Sequence, residues 1–346
     1  MPSGREPITQ RDVASSLGVS ISAVSLALAG RPGVGEDLRR RILERAAELG
    51  YRPNASAVAL RTSRTRILGL LIRNLRNPHF LDVIDGFDET CARAGYEVMV
   101  GSSRYDTTRE TQLLDAFQDR AIDGLAIAPI GTGPQIRERF SATNRPIVLL
   151  DTADPQLLTM SVRSDQERSV DLVVRHLLEL GHRHLAMVVA PTDKSPDPER
   201  LHHFRRMAAE LGFTATALTT ELSADAARTA LRTTLRQPAA QRPTAIITNS
   251  DYIAHTVYLA AEDLGLGIPA DLSVVGHDDL PTSASLLPAL TTIAVDRREI
   301  GERAATLLID TLAAAPVVHP NIVLPVELRV RASTAPPQLA RSSATA

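Results

Sequence analysis

Apolar positions recur at helical spacing three times in the first fifty residues. Val13, Ala14 and Leu17 form one stripe, Val24 and Leu28 a second, and Leu38, Ile42, Ala46 and Leu49 a third. This pattern predicts three short amphipathic helices. Their ends are marked by residue type. Thr9 with Asp12 three residues on reads as a capping box, Gly18-Val19 as a turn, and Ser20 as the cap of a helix over Ile21–Leu28. Gly30-Arg31-Pro32-Gly33 reads as a loop, and Gly50 ends a third helix running from about Glu36 to Leu49. Tyr51-Arg52-Pro53-Asn54 then leads into a helical stretch, Ala55–Arg61, too short to be stable alone in water. It is expected to fold only when docked on something.

From Arg66 the pattern switches to strands alternating with helices. Strands are predicted at Ile67–Ile72, Glu97–Gly101, Leu125–Ala128 and Ile147–Leu150, with helices between, the first over Phe80–Ala94. The cycle restarts after Asp165, with helix Gln166–Leu180, strand Leu185–Val189, helix Glu199–Leu211, strand Ala245–Thr248, helix Tyr252–Leu264 and strand Leu272–Val275. Such alternation implies parallel, doubly wound sheets. Two series imply two α/β lobes with a cleft between them, the usual place for a ligand. Ala332–Ala346 is rich in Ala, Ser and Pro and reads as a disordered tail without leucine heptads.

Charge changes the picture of the head. Residues 1–66 hold eleven Arg against six acids, near +5, so the remainder of this chain of net charge -2 is near -7. A small basic head on a larger acidic body points to a polyanion partner for the head. One cysteine, Cys91, excludes an intramolecular disulfide and a cysteine metal cluster. No apolar run is long enough to span a bilayer, and Met1–Gln10 has no apolar leader segment. A cytoplasmic protein is expected.

The head spacing fits a helix-turn-helix. The run ITQRDVASSLGVSISAVSLALAG followed by RRRILERAAELGYRPNASAVALR resembles the LacI/GalR family of bacterial regulators. The resemblance continues in order through RILGLLI, NPHF, GFDETCARAGYEV, IDGLAIAP, HLLELGHRHLAMV, DLSVVGHDD and PALTTI, and covers residues 9 to about 332. It implies a λ-repressor-like helix-turn-helix over 1–53, a hinge helix and linker over 54–66, and a two-lobed periplasmic-binding-protein-like α/β domain over 67–332. One lobe would comprise about 67–164 plus 295–325, the other about 165–293 plus 326–332, with 333–346 as the tail. It further implies a homodimer that binds a pseudo-palindromic operator duplex, represses transcription and answers to a sugar or related effector, with no cofactor and no membrane.

Site roles follow from the matched positions. Ile21, Ser22 and Leu26 fall where the family reads base edges, and Thr9, Ser20, Ser25 and Tyr51 where it touches the DNA backbone. Asn54 to Arg61 matches the hinge helix of the minor groove, with Leu60 as the intercalating wedge and Ala57 as the small residue between two hinge helices. A wedge of this kind costs a few kcal/mol of unstacking and kinks the duplex. In the cleft, His79, Phe80, Asp151, Arg200, Ser250, Asp251 and Asp278 match effector positions. An Arg can grip vicinal oxygens and an Asp accepts from hydroxyls. With no Trp and 3% aromatics, ring stacking falls to Phe80 or Tyr252. The chain also departs from the pattern. Leu26 stands where Arg is usual and cannot donate to guanine. Ala29 replaces a common Asn, Gly35 a Ser or Thr cap, His203 a Gly and Ser250 an Asn.

Other readings are weaker. His182-Arg183-His184 and His202-His203 lack metal-ligand spacing, Gly131-Thr132-Gly133 lacks a phosphate-loop context, and Asp278-Asp279 at a strand end face different ways. Arg39, Arg40 and Arg41 suit a solvated face with one or two phosphate contacts. A solute-binding protein without DNA activity shares the two-lobed body but leaves the basic head unexplained. An α/β enzyme would need a nucleophile elbow, triad or metal set, and none is legible.

Overall fold

In a computed structural model the chain divides into two compact units, residues 1–65 and residues 66–346. The residues described are 8–51, 64–130, 136, 145–152, 160–191, 198–221, 223–313 and 321–338. The expected hinge segment with Asn54, Ala57 and Leu60, and the Gly131-Thr132-Gly133 turn, lie outside them.

The first unit packs three helices, α1 (Gln10–Leu17), α2 (Ile21–Leu28) and α3 (Glu36–Glu48), around Val13, Ala14, Val24, Ala27, Ile42 and Ala46. Leu38, Leu49 and Tyr51 close the rim of that core. The capping box is formed in full: the amide and hydroxyl of Thr9 donate to the Asp12 carboxylate at 2.8 and 2.7 Å. Gly18 follows α1 at φ 66, a conformation that costs other residues about 1–2 kcal/mol. Ser20 caps α2 by accepting from the Ala23 amide at 3.1 Å. Gly35, by contrast, gives α3 no side-chain cap.

The second unit contains two six-stranded sheets. The first lobe is built from β1 (Ile67–Ile72), α4 (His79–Arg93), β2 (Glu97–Ser102), α5 (Thr107–Asp119), β3 (Gly124–Ile127), β4 (Ile147–Leu150) and β5 (Met160–Ser164). The second follows with α6 (Gln166–Glu179), β6 (His184–Val189), α7 (Pro198–Leu211), β7 (Thr214–Thr219), α8 (Ala224–Leu235), β8 (Ala245–Ile247), α9 (Asp251–Asp263), β9 (Ser273–Asp278) and β10 (Thr291–Val295). The chain then returns, α10 (Arg297–Leu312) and β11 (Asn321–Leu324) to the first lobe and β12 (Val326–Arg329) to the second. Strand orders are β11-β5-β4-β3-β1-β2 and β12-β10-β9-β8-β6-β7, all parallel except the β10–β12 pair.

Three sequence expectations are corrected. β9 runs on through Gly276 and His277 to Asp278, because its pairing with β10 continues to Asp278 opposite Ala294. All of β10 belongs to the second lobe, so the lobe boundary expected near 293–295 falls after Val295, which pairs with Val326. The tail expected from 333 is seated as far as Ala335. The Ser333 hydroxyl accepts from Thr291 N at 2.8 Å and donates to Val274 O at 2.6 Å, and the Ala335 amide donates to Ser273 at 3.1 Å. Small polar side chains here satisfy buried backbone groups that a disordered tail would leave unpaired.

Helices α4 and α10 cross at very short range. A Cβ on Gly86 would collide with the Arg298 carbonyl, and one on Gly301 with the Val83 carbonyl. This close pairing fixes α4, whose first residues enter the cleft, against α10, whose first residue is Arg297.

Candidate functional site

On the head, α2 buries Val24 and Ala27, packs Leu28 against the same core and turns Ile21 and Ser22 outward. Ile21 (45% exposed) and Ser22 are open to solvent, while Ser25 and Leu26 are half-buried. Leu26 leans on the following loop, where a Cβ on Gly33 would lie 3.4 Å from its Cδ1. Thr9 and Ser20 sit at the starts of α1 and α2 with their hydroxyls engaged in capping. The Tyr51 hydroxyl accepts from Gln10 at 3.2 Å, which ties the exit of α3 to α1. Arg40 pairs with Asp37 and, at 3.9 Å, with Glu44, and Arg45 pairs with Glu48 at 2.8 Å. These exposed pairs contribute little to stability, which leaves their arginines available to a stronger anion.

In the body, a chamber forms where residues just past the carboxyl ends of the parallel strands converge, the place open α/β sheets offer to ligands. Arg73 follows β1, Asp151 follows β4, Ser164 ends β5, Asn249 and Ser250 follow β8, and His277 and Asp278 end β9. His79 and Phe80 come from the start of α4, Gln166 from α6 and Arg200 from α7. The chamber measures about 40 Å³. It adjoins a groove of about 990 Å³ lined by Arg76, Arg104, Tyr105 and Arg109 of the first lobe and Glu221, Asp225 and Tyr252 of the second. Tyr105 borders both.

The chamber is filled by charge. His79 is buried, with Nδ1 2.9 Å from Asp278 and Nε2 3.4 Å from Asp151, and Asp151 also faces Arg73 at 3.6 Å. Burial opposes the charge on the imidazole, but Asp278 and Asp151 outweigh it and push His79 up to about 10. Burial likewise disfavours ionised Asp151, yet His79 and Arg73 hold it down at about 2. The same imidazolium, with a hydrogen bond from His277, holds Asp278 below the usual carboxylate range against its own burial. His277 is pushed down by burial and by the charge of Arg200, and remains neutral. Three buried side-chain atoms of the chamber's residues find no hydrogen-bond partner: the donor Arg73 Nη2 and the acceptors Gln166 Oε1 and Asp278 Oδ2. Native proteins leave few such groups, and a cluster of them marks a place for a polar guest.

Asp278 is also held through its backbone. It sits at φ 116, with Asp279 at φ 53, a region that costs a non-glycine residue about 1–3 kcal/mol. Arg297 donates to the Asp278 and Asp279 carbonyls while its other nitrogens bind Asp82, one turn along α4 from His79.

Six of the seven residues expected in the cleft line this chamber: His79, Phe80, Asp151, Arg200, Ser250 and Asp278. Asp251 does not. Its carboxylate turns into the second lobe and accepts from Thr292 (2.6 Å), Ser283 (2.6 Å) and Leu280 N (2.8 Å). Burial, then the neighbouring Asp278, raises it to about 7. The reason is local: Ser250 caps α9, which leaves Asp251 in the first turn facing the 280–283 turn and the space opened by Gly276. Arg73, Asn77, Gln166, His277 and Arg297 were missed. The first four stand at strand ends or helix starts, a positional signal present in the sequence. Arg297 also starts a helix, but its reach to Asp278 depends on the packing of α10 against α4.

Comparison with known proteins follows the two units. Residues 9–54 match the model of bacterial regulatory proteins of the lacI family, and residues 174–334 that of the periplasmic binding protein-like domain. The HTH-type transcriptional regulator MalR of Streptomyces coelicolor is 31% identical over 340 residues, covering 94% of this chain and 96% of the relative. The ribose operon repressor of Escherichia coli is 28% identical over 331 residues, 94% of this chain and 99% of the relative. Among solved structures, the lac repressor dimer bound to operator and the anti-inducer ONPF superposes with a TM-score of 0.84 at 26% identity, covering 95% of this chain and 100% of that one. Among the described residues no helix is long and apolar enough to cross a membrane, and no group of three or more His, Cys, Asp or Glu is arranged to hold a metal ion.

Proposed function

The chain belongs to the lacI family of bacterial regulatory proteins, and from that premise we propose how its residues divide the work. It is a DNA-binding transcriptional regulator, a repressor that binds operator DNA as a dimer and takes a small-molecule effector. Ile21, Ser22 and Leu26 read base edges, with Ile21 and Leu26 touching thymine methyls rather than donating to guanine. Thr9, Ser20, Ser25 and Tyr51 contact phosphates. Asn54 to Arg61 forms the hinge helix in the minor groove, with Leu60 as the wedge and Ala57 at the helix-helix approach. His79, Phe80, Asp151, Arg200, Ser250 and Asp278 face the effector, a polyhydroxylated, sugar-like metabolite. The protein acts in the cytoplasm and performs no chemistry on its ligand.

One observation carries the effector reading: a donor of Arg73 and acceptors of Gln166 and Asp278, buried and without a hydrogen-bond partner, belong to residues that line one chamber. A hydroxyl both accepts and donates, so a polyol satisfies such a set. Effector binding shifts the balance between lobe arrangements and so alters hinge order and operator affinity, typically by about 1–3 kcal/mol of coupling. The test is fluorescence anisotropy on twofold-symmetric duplexes, with and without sugars. Sequence-dependent, salt-sensitive binding that a sugar shifts is expected; a chain that ignores every duplex but binds sugars is a solute-binding protein instead.

A further inference from the structure

The cleft already has an occupant. The ring of His79, from the first lobe, lies between Asp151 of its own lobe and Asp278 of the other. The His79–Asp278 contact joins residues 199 apart in the chain at 2.9 Å, with side chains only 8% and 4% exposed. A second charged tie between the lobes is wetter. Among the described residues, Arg163–Glu199 is 22% and 40% exposed, and Arg297, paired with Asp82 of its own lobe, crosses only through the Asp278 and Asp279 carbonyls. Breaking a buried ion pair by removing one partner leaves an uncompensated charge, far costlier than losing an exposed pair.

We propose that His79 is an internal latch and a competitor of the effector: its ring holds the lobes together across Asp278 in the absence of ligand, and a ligand must take its place. The chamber of about 40 Å³ left beside the ring has room for a few waters and none for a sugar ring. A ligand therefore enters only as the ring leaves. Once the ring is gone, Asp151 and Asp278 face each other without the cation between them. The replacement must donate hydrogen bonds to both carboxylates. That selects a hydroxyl- or amine-bearing molecule and rejects one whose polar groups are all acceptors. The selection of a hydroxyl-bearing ligand rests on the effector reading above; the latch itself does not.

Arg297 and Asp82 make the latch local. Asp278 is gripped twice by the first lobe, through its carboxylate by His79 of α4 and through its carbonyl by Arg297 of α10, itself anchored on Asp82. Loss of the first grip leaves the second as a pivot, so release at His79 opens the cleft without parting the lobes.

The test needs no ligand. Spin labels on Gln112→Cys of α5 and Thr229→Cys of α8, both exposed and one in each lobe, report the inter-lobe distance in the full chain; Cys91 is buried and stays unlabelled. The parent shows one short distance. His79→Ala adds a longer population, and His79→Gln, which keeps a hydrogen bond but not the charge, adds a smaller one. Parent-like distributions in both variants overturn the latch. Calorimetry with D-ribose, cellobiose and succinate then gives the sign. A displaced competitor predicts tighter binding of either sugar to His79→Ala, by about tenfold on the scale of allosteric couplings, and no binding of succinate. Weaker sugar binding by His79→Ala overturns the competitor role and makes His79 an ordinary contact. Succinate binding with no response to either sugar overturns the ligand class and the effector reading, while the distance measurement still decides the latch.

Discussion

The head and the cleft invert the usual placement of residues. On α2 an apolar side chain, Ile21, faces solvent. In the body, His79, Asp151 and Asp278, with Arg73 alongside, are shut away from it. Either arrangement alone costs free energy, since exposed apolar surface loses its hydrophobic stabilisation and buried charge its solvation. The difference teaches what each region waits for. The three helices of the head present an outward face on a small packed core. The cleft satisfies its charges internally, and must undo that arrangement to accept a guest.

Salt breaks the comparison most widely. A head that neutralises several phosphates loses about 10³-fold in operator affinity between roughly 50 and 200 mM salt, through counterion release. Buried charges are screened far less, so sugar affinity moves by about twofold or less over the same range; anisotropy and calorimetry on one preparation read both. Next in size, Arg200→Ala weakens the response of operator binding to sugar by about 100-fold, with operator affinity alone unchanged; an unaltered response removes Arg200 from the site. Leu60→Ala, in the proposed wedge, weakens operator binding by about tenfold and leaves binding to random duplex unchanged. Equal loss on both duplexes makes Leu60 a packing residue.

The smallest effect is a pH dependence that isolates His79. Its value is raised from 6.5 to about 10. Its contribution is therefore complete below pH 6.5 and is lost as pH rises to about 10. Asp251 is raised from 3.8 to about 7, so its drag on stability is complete by about pH 7. Cys91 and Tyr258 are both pushed up to about 12 by burial. Asp151 and Asp278, which face His79, stay ionised across the window, and His277 stays neutral. Between pH 7 and 10 the melting temperature of the body thus falls by a few degrees in the parent and stays flatter in His79→Gln; parallel curves exclude the imidazole as the source.

Most of the cleft was legible through the family resemblance, and the matched positions make physical sense. A residue that follows an apolar strand run in an alternating β/α pattern must emerge at one edge of the sheet, as Asp151, Ser250 and Asp278 do. Asp251 was expected in the cleft from the family resemblance, which does not show which way a side chain turns. Ser250 took the capping role, and the next residue turned inward to three donors. Arg297 was invisible because its work depends on the close crossing of α4 and α10, which two separated glycines permit.

By itself the sequence determined the three helices of the head, two of them with side-chain caps, and the alternation of strand and helix in the body. Those depend on periodicity and on side chains a few positions apart. Only the tertiary structure decided that His79 lies between Asp151 and Asp278, that Ser333 is locked under β9 and β10, and that Asp278 is held in a left-handed conformation. Contacts between residues some two hundred positions apart follow from how two lobes close, and no local pattern encodes that distance.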